Sequence, residues 1–183
     1  VPPAGMAPQV ACSSTRPIDE SDRRACPTTP TALSRPLLKS VTGTFTVSGA
    51  GCATTAGLVG GLAAQGLPTV GQNLVVDVTN GTPGTIPLML IGVSDASWGA
   101  IPLPLGFNAI FPATPVGCDL LVSIDQTLGM AATPTGATAT LPIPNKPQYV
   151  GVSFFVQALQ LELVGGMNLR VNTTPYGTAT IGT

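Results

Sequence analysis

The chain has 183 residues, a net charge of −1, no histidine, and 8% charged side chains against 44% apolar ones. Without histidine it lacks the commonest general base and metal ligand, which excludes Ser-His-Asp and Cys-His nucleophile sites, and without a basic stripe it is expected to have no nucleic-acid partner. Soluble domains average about a quarter charged residues, yet from Ser40 onwards the only charged residues are Asp77, Asp95, Asp119, Asp125, Lys146, Glu162 and Arg170.

The remaining eight charges, Arg16, Asp19, Glu20, Asp22, Arg23, Arg24, Arg35 and Lys39, fall within residues 16–39. Pro17, Pro27, Pro30 and Pro36 interrupt that stretch. Only Ile18 to Ala25 offers a short helical turn, with Asp19 and Glu20 near its start. Residues 1–40 are accordingly predicted to form an extended N-terminal arm, and 41–183 a separate domain. Four cysteines, Cys12, Cys26, Cys52 and Cys118, make the even set expected of disulfides in an oxidising compartment. Three pairings are possible. The favoured one closes the arm through Cys12–Cys26 and ties distant parts of the domain through Cys52–Cys118. A metal site is the poorer reading, because there is no C-x-x-C pair and no His.

Past Ser40 the periodicity is that of strands. Residues 41–48 alternate, with Val41, Phe45 and Val47 on one face and Thr42, Thr44, Thr46 and Ser48 on the other. Thr55 to Gln65 is the one candidate helix, and Gly57, Gly60 and Gly61 argue against it. Asn73 to Thr79 places Leu74, Val76 and Val78 inward and Asp77 outward, and Asn80-Gly81 then reads as a turn. Ile86 to Val93 is continuously apolar, as in a strand covered on both faces. Cys118 to Ile124 and Ala137 to Ile143 are further strands.

The longest signal is Tyr149 to Leu163. Val150, Val152, Phe154 and Val156 share one phase, then Leu159, Leu161 and Leu163 take the other. The switch near Gln157 predicts a bulge or bend that lets one strand serve two sheets. Met167 to Val171 and Tyr176 to Ile181 follow as two strands parted at Thr174-Pro175. Many short strands separated by Gly/Pro turns predict an all-β fold, a β-sandwich of Ig-like or jelly-roll type behind a disulfide-closed arm. No apolar run approaches the roughly 20 residues of a membrane-spanning helix.

Few groups are left for chemistry. Asp119 and Asp125 flank one strand, but solvated or turn-capping acids are the simpler reading, and no Asp-x-Asp-x-Asp cluster suggests calcium. The expectation is no enzyme and no cofactor. Trp98, the single tryptophan, lies in a Gly/Ser loop, and with 4% aromatics overall it reads as a core plug rather than a sugar-stacking platform. Asn80-Gly81-Thr82 and Asn172-Thr173-Thr174 match the N-glycosylation acceptor pattern.

Several short motifs share a pattern: Cys52, Gly92-Val93-Ser94 ahead of Trp98-Gly99, Leu103-Pro104-Leu105, and Gly117 to Ser123. Leu141 to Asn145, Gly151 to Gln157 and Asn168 to Arg170 continue it. Together, over Cys52 to Val171, they make the chain resemble a low-charge, Gly/Pro-rich secreted β-domain found in bacterial cell-surface proteins, mostly without assigned activity. The resemblance implies an extracellular location, supports the Cys52–Cys118 pairing and carries over no catalytic residue. The charged arm and the segment Asn172 to Thr183 depart from it. Charge depletion also leaves sheet edges without their usual lysine guards. The sequence thus predicts a secreted structural subunit that polymerises with itself by strand addition. Val41, Phe45 and Val47, then Tyr176 to Ile181, are the candidate inter-subunit strands. A carbohydrate-binding or adhesin module using Trp98 and a glycan partner is the alternative.

Overall fold

A computed structural model describes residues 40–183, which belong to one unit, Lys39–Thr183. The predicted arm and the Cys12–Cys26 pair lie outside the described residues. In chain order the strands begin with β1 (Thr44–Ser48), β2 (Gly61–Gln65), β3 (Asn73–Thr79) and β4 (Ile86–Gly92). The short strands β5 (Ser97–Trp98), β6 (Ile101–Pro102), β7 (Leu105–Gly106) and β8 (Asp119–Leu120) follow. Then come β9 (Gln126–Gly129), β10 (Ala131–Thr133), β11 (Gly136–Pro142), β12 (Ser153–Val164) and β13 (Asn168–Thr180). Only two 3-10 turns, Phe107–Ala109 and Pro147–Tyr149, add helical character among the described residues. The candidate helix at 55–65 is instead a loop running into β2.

The strands form two antiparallel sheets, ordered β1-β13-β12-β4-β9 and β10-β11-β3-β2. β3 and β11 show the expected alternation, with Leu74, Val76, Val78, Ala137, Ala139 and Leu141 buried. These residues meet Met89, Val156, Ala158, Ala179 and Ile181 of the five-stranded sheet in a shared core. Complete burial of side chains such as Leu74, Val76 and Met89 contributes about 2 kcal/mol each. The other face of the five-stranded sheet is also apolar. There Leu90, Leu159 and Val171 pack against Phe107, Leu120 and Val122 of the covering segment 93–125. β4 therefore has two buried faces, as its continuous apolar run predicts.

Double coverage also explains β12, where the sequence expectation needs correction. Even-numbered Phe154, Val156 and Ala158 face the shared core, whereas odd-numbered Phe155, Leu159 and Leu161 face the cover. Alternation never breaks, and β12 stays within one sheet. Both phases are apolar because both faces are buried. The irregularity falls at the predicted place but on the partner strand. Gln157 pairs Tyr176 and Leu159 pairs Thr173, so Thr174 and Pro175 together oppose Ala158. Pro175 has no N–H to give a ladder, and the Thr174 hydroxyl accepts the Ala158 N–H instead, at 3.0 Å. The two strands expected at 167–171 and 176–181 are thus a single 13-residue strand, bulged at Thr174-Pro175.

Two further expectations change. The stretch 118–124 alternates as predicted, with Cys118, Leu120 and Val122 buried, but only β8 is strand because a side chain supplies much of its hydrogen bonding. Val47, expected inward beside Phe45, is 46% exposed. β1 is the outermost strand of its sheet, and the second sheet offers it only the short β2. Phe45 itself lies flat over Gly177, where an added Cβ would come within 2.3 Å of its ring.

Candidate functional site

The predicted Cys52–Cys118 disulfide is present, bridging 66 residues with both cysteines buried. Cys52 is also tied to β13: its N–H donates to Thr173 O at 2.9 Å, and its sulfur accepts the Thr173 N–H at 3.2 Å. The bond therefore fastens the covering segment to the sheet beneath it. Gln157, fully buried, fastens the same two layers through its amide. Nε2 donates to Asp119 O (2.9 Å) and Thr174 O (3.0 Å), and Oε1 accepts the Leu121 N–H (2.9 Å). Sequence reading passed over this residue because its signal, a lone Gln inside an apolar run, does not say which layer it bridges.

The acids considered for chemistry are structural. Asp125 accepts hydrogen bonds from the Ser123 hydroxyl (2.6 Å) and the Val93 N–H (2.9 Å), which hold its pKa below the ordinary 3.8. Asp119 gives its backbone carbonyl to Gln157. Trp98 is not a core plug. It is 37% exposed, belongs to neither core cluster, and pairs with Ile101 in the surface hairpin β5–β6. Of the glycosylation triplets, Asn172 is buried and bonded to Glu162 and Arg170, so its amide is not open to modification in the folded chain; Asn80 is exposed.

Glu162 and Arg170 face one another near the tip of the β12–β13 hairpin, 3.9 Å apart. Partial burial raises the Glu162 pKa, but hydrogen bonds from Thr55 and Asn172 and the Arg170 charge outweigh it, leaving the pKa below the ordinary 4.5. The folded value being depressed, this carboxylate's contribution is complete above about pH 4.5 and fades as pH falls through the lower folded value. In acid titrations followed by circular dichroism, Glu162→Gln is expected to remove that part of the acid sensitivity and leave neutral-pH structure intact.

The candidate inter-subunit segments find each other within the chain. Phe45 of β1 lies opposite Ala179 and Val47 opposite Gly177, with Ser48 opposite Tyr176. Val41 O accepts the Thr183 N–H at 2.8 Å, and Ile181 is buried in the shared core. Tyr176 stacks beside Phe155, with its hydroxyl on Asp95; burial and that carboxylate raise its pKa above the usual 10.0. What remains unpaired is the outer side of each edge strand: β1 and β9 in one sheet, β10 and β2 in the other. None of these four strands contains a charged residue or a proline, the devices that normally block edge-to-edge pairing.

One rim is also open between the sheets. β10 covers only the first part of β11, ending at Ala131 opposite Thr138. Beyond it, a groove of about 440 Å³ lies between β9 and the bare end of β11. Ile91, Leu128, Leu141, Ile143, Tyr149 and Phe154 line it, and no lining residue is charged. Among the described residues no helix is long and apolar enough to cross a membrane, and no group of three or more His, Cys, Asp or Glu converges. No protein-family model, curated protein or solved structure matches the chain.

Proposed function

We propose that this chain is a non-enzymatic structural subunit of an extracellular filament, sheath or surface layer. Its β domain, read as a sandwich of Ig-like or jelly-roll type, assembles with copies of itself by strand addition at sheet edges or through the N-terminal arm. The observation that carries this reading is the set of four edge strands without charge or proline. Open edges of that kind invite pairing with another chain, and a surface with so few charges opposes association weakly. The buried disulfide fits an oxidising compartment and durability once assembled.

Negative-stain electron microscopy of the full, unreduced protein tests it. Regular filaments or sheets are expected. Thr46→Lys on β1 and Thr127→Lys on β9, both at exposed edge positions, should weaken edge-mediated growth while the fold survives. Monomers at every concentration would overturn the reading. A monomer that bound glycans and lost binding on Trp98→Ala would instead favour an adhesin, a second reading motivated by the exposed Trp98–Ile101 hairpin.

A further inference from the structure

The long ribbon of β12 and β13 has different endings. At one end the two strands run past all their neighbours. β4 pairs with β12 only as far as Ile86 opposite Leu161, and β1 reaches β13 only to Tyr176. The last pairs, Glu162–Arg170, Leu163–Leu169 and Val164–Asn168, therefore stand free of flanking strands. Gly165 and Gly166 close the turn at φ of +61° and +80°, with nothing within 4 Å of where a Cβ would sit. Such φ values favour glycine, so the turn is built to project. Its side chains are apolar. Leu163 is 67% exposed and Met167 is 90% exposed, more than any other large apolar residue described.

At the other end of the same ribbon lies the groove. Phe154, at the start of β12, lines it, together with Ile181, just past the end of β13. Projection and groove are thus separated by nearly the whole 12 residues of β12, about 40 Å at the usual strand rise. Their chemistries match. The groove has no charged residue in its lining. The tip from Leu163 to Asn168 has none either, because the only nearby charges, Glu162 and Arg170, neutralise each other at its base. The cavity volume is in the range that encloses a drug-sized ligand, room for side chains of the size of Leu163 and Met167.

We propose that the Leu163–Met167 tip of one copy seats in the groove of the next, with Met167 and Leu163 packed against Leu128, Leu141 and Phe154. This inference rests on the self-assembly reading and names its contact. Because donor and acceptor surfaces differ and lie at opposite ends, the contact is head-to-tail; it leaves a free tip and a free groove on every growing chain and does not close a dimer. Large exposed apolar side chains next to an uncharged surface commonly mark such contacts.

Two full-length variants test it, each checked for folding by circular dichroism: Met167→Glu at the tip and Leu128→Glu in the groove. Leu128 is half-buried, so Gln126→Trp, at an exposed position on the groove lip, serves as a second groove block. Filaments of the wild type should repeat at about 40 Å along their axis, set by the strand length. Each variant alone should raise the critical concentration on the order of tenfold or more. Mixed, the tip variant and a groove variant should form dimers and nothing larger, because only one live tip can meet one live groove. Filaments that persist in all variants would overturn the tip-in-groove contact and leave the structural-subunit reading standing. Loss of assembly in the groove variants alone would assign the groove to another occupant, such as a neighbour's residues 1–39, and overturn it too. A wild type that never assembles would overturn both.

Discussion

Gln157→Leu is expected to destabilise the domain by about 4 kcal/mol and to lower the thermal midpoint by roughly 10 °C. Leucine has nearly the same bulk, so the loss would come from polar groups and not from a cavity. The substitution strips partners from the Leu121 N–H and from the carbonyls of Asp119 and Thr174. These groups meet Gln157 at a fully buried point between the cover and the β12–β13 ribbon. A buried group left unbonded costs about 1–3 kcal/mol. Hydrogen exchange locates the damage: the Leu121 amide should lose protection well before amides of β3, which lies in the other sheet. Urea unfolding within about 1 kcal/mol of wild type would show that this amide does not hold the cover down.

Replacing Cys52 and Cys118 together by serine is expected to cost about 4 kcal/mol, the loop-closure value for the 66 residues between them. The paired substitution avoids leaving one free thiol. The lost constraint acts mostly on the unfolded chain, so the effect should appear in equilibrium unfolding even if the folded spectra are unchanged. A reducing agent should reproduce it in the wild type and leave the double variant unaffected. If reduction shifted both equally, the stabilisation would not come from this bond among the described cysteines. Because the bond also anchors the cover beside Thr173, combining this change with Gln157→Leu should give a loss different from the sum, as expected for two ties on one layer.

For the proposed assembly, the useful consequence is a division of labour. Gln157 and the disulfide hold a layer over one face of the five-stranded sheet, while Phe45 and Ile181 close the opposite face against the second sheet. With both faces buried, the places left for a partner are the edges and the two ends of the ribbon. Those are also the places where charge is missing.

The sequence by itself determined which residues face inward. Leu74, Val76 and Val78 alternate against Asp77, and the run from Ile86 is apolar on every residue, because burial on one face or two writes itself into a local period of two. It also marked the Thr174-Pro175 break, since proline cannot join a ladder, and the Cys52–Cys118 pair among the three possible pairings. Periodicity names a face and not a neighbour, which is why β12 read as a strand changing sheets when its second face was simply covered by another layer. The pairing of β1 with β13, the three bonds of Gln157, and the placing of an apolar tip and an apolar groove at opposite ends of one ribbon were decided only by the tertiary structure. Each depends on contacts between residues far apart in sequence: Phe45 with Gly177, Leu121 with Gln157, Leu128 with Leu141. No local pattern encodes such a meeting, because it is set by how both sheets and the cover pack together at once.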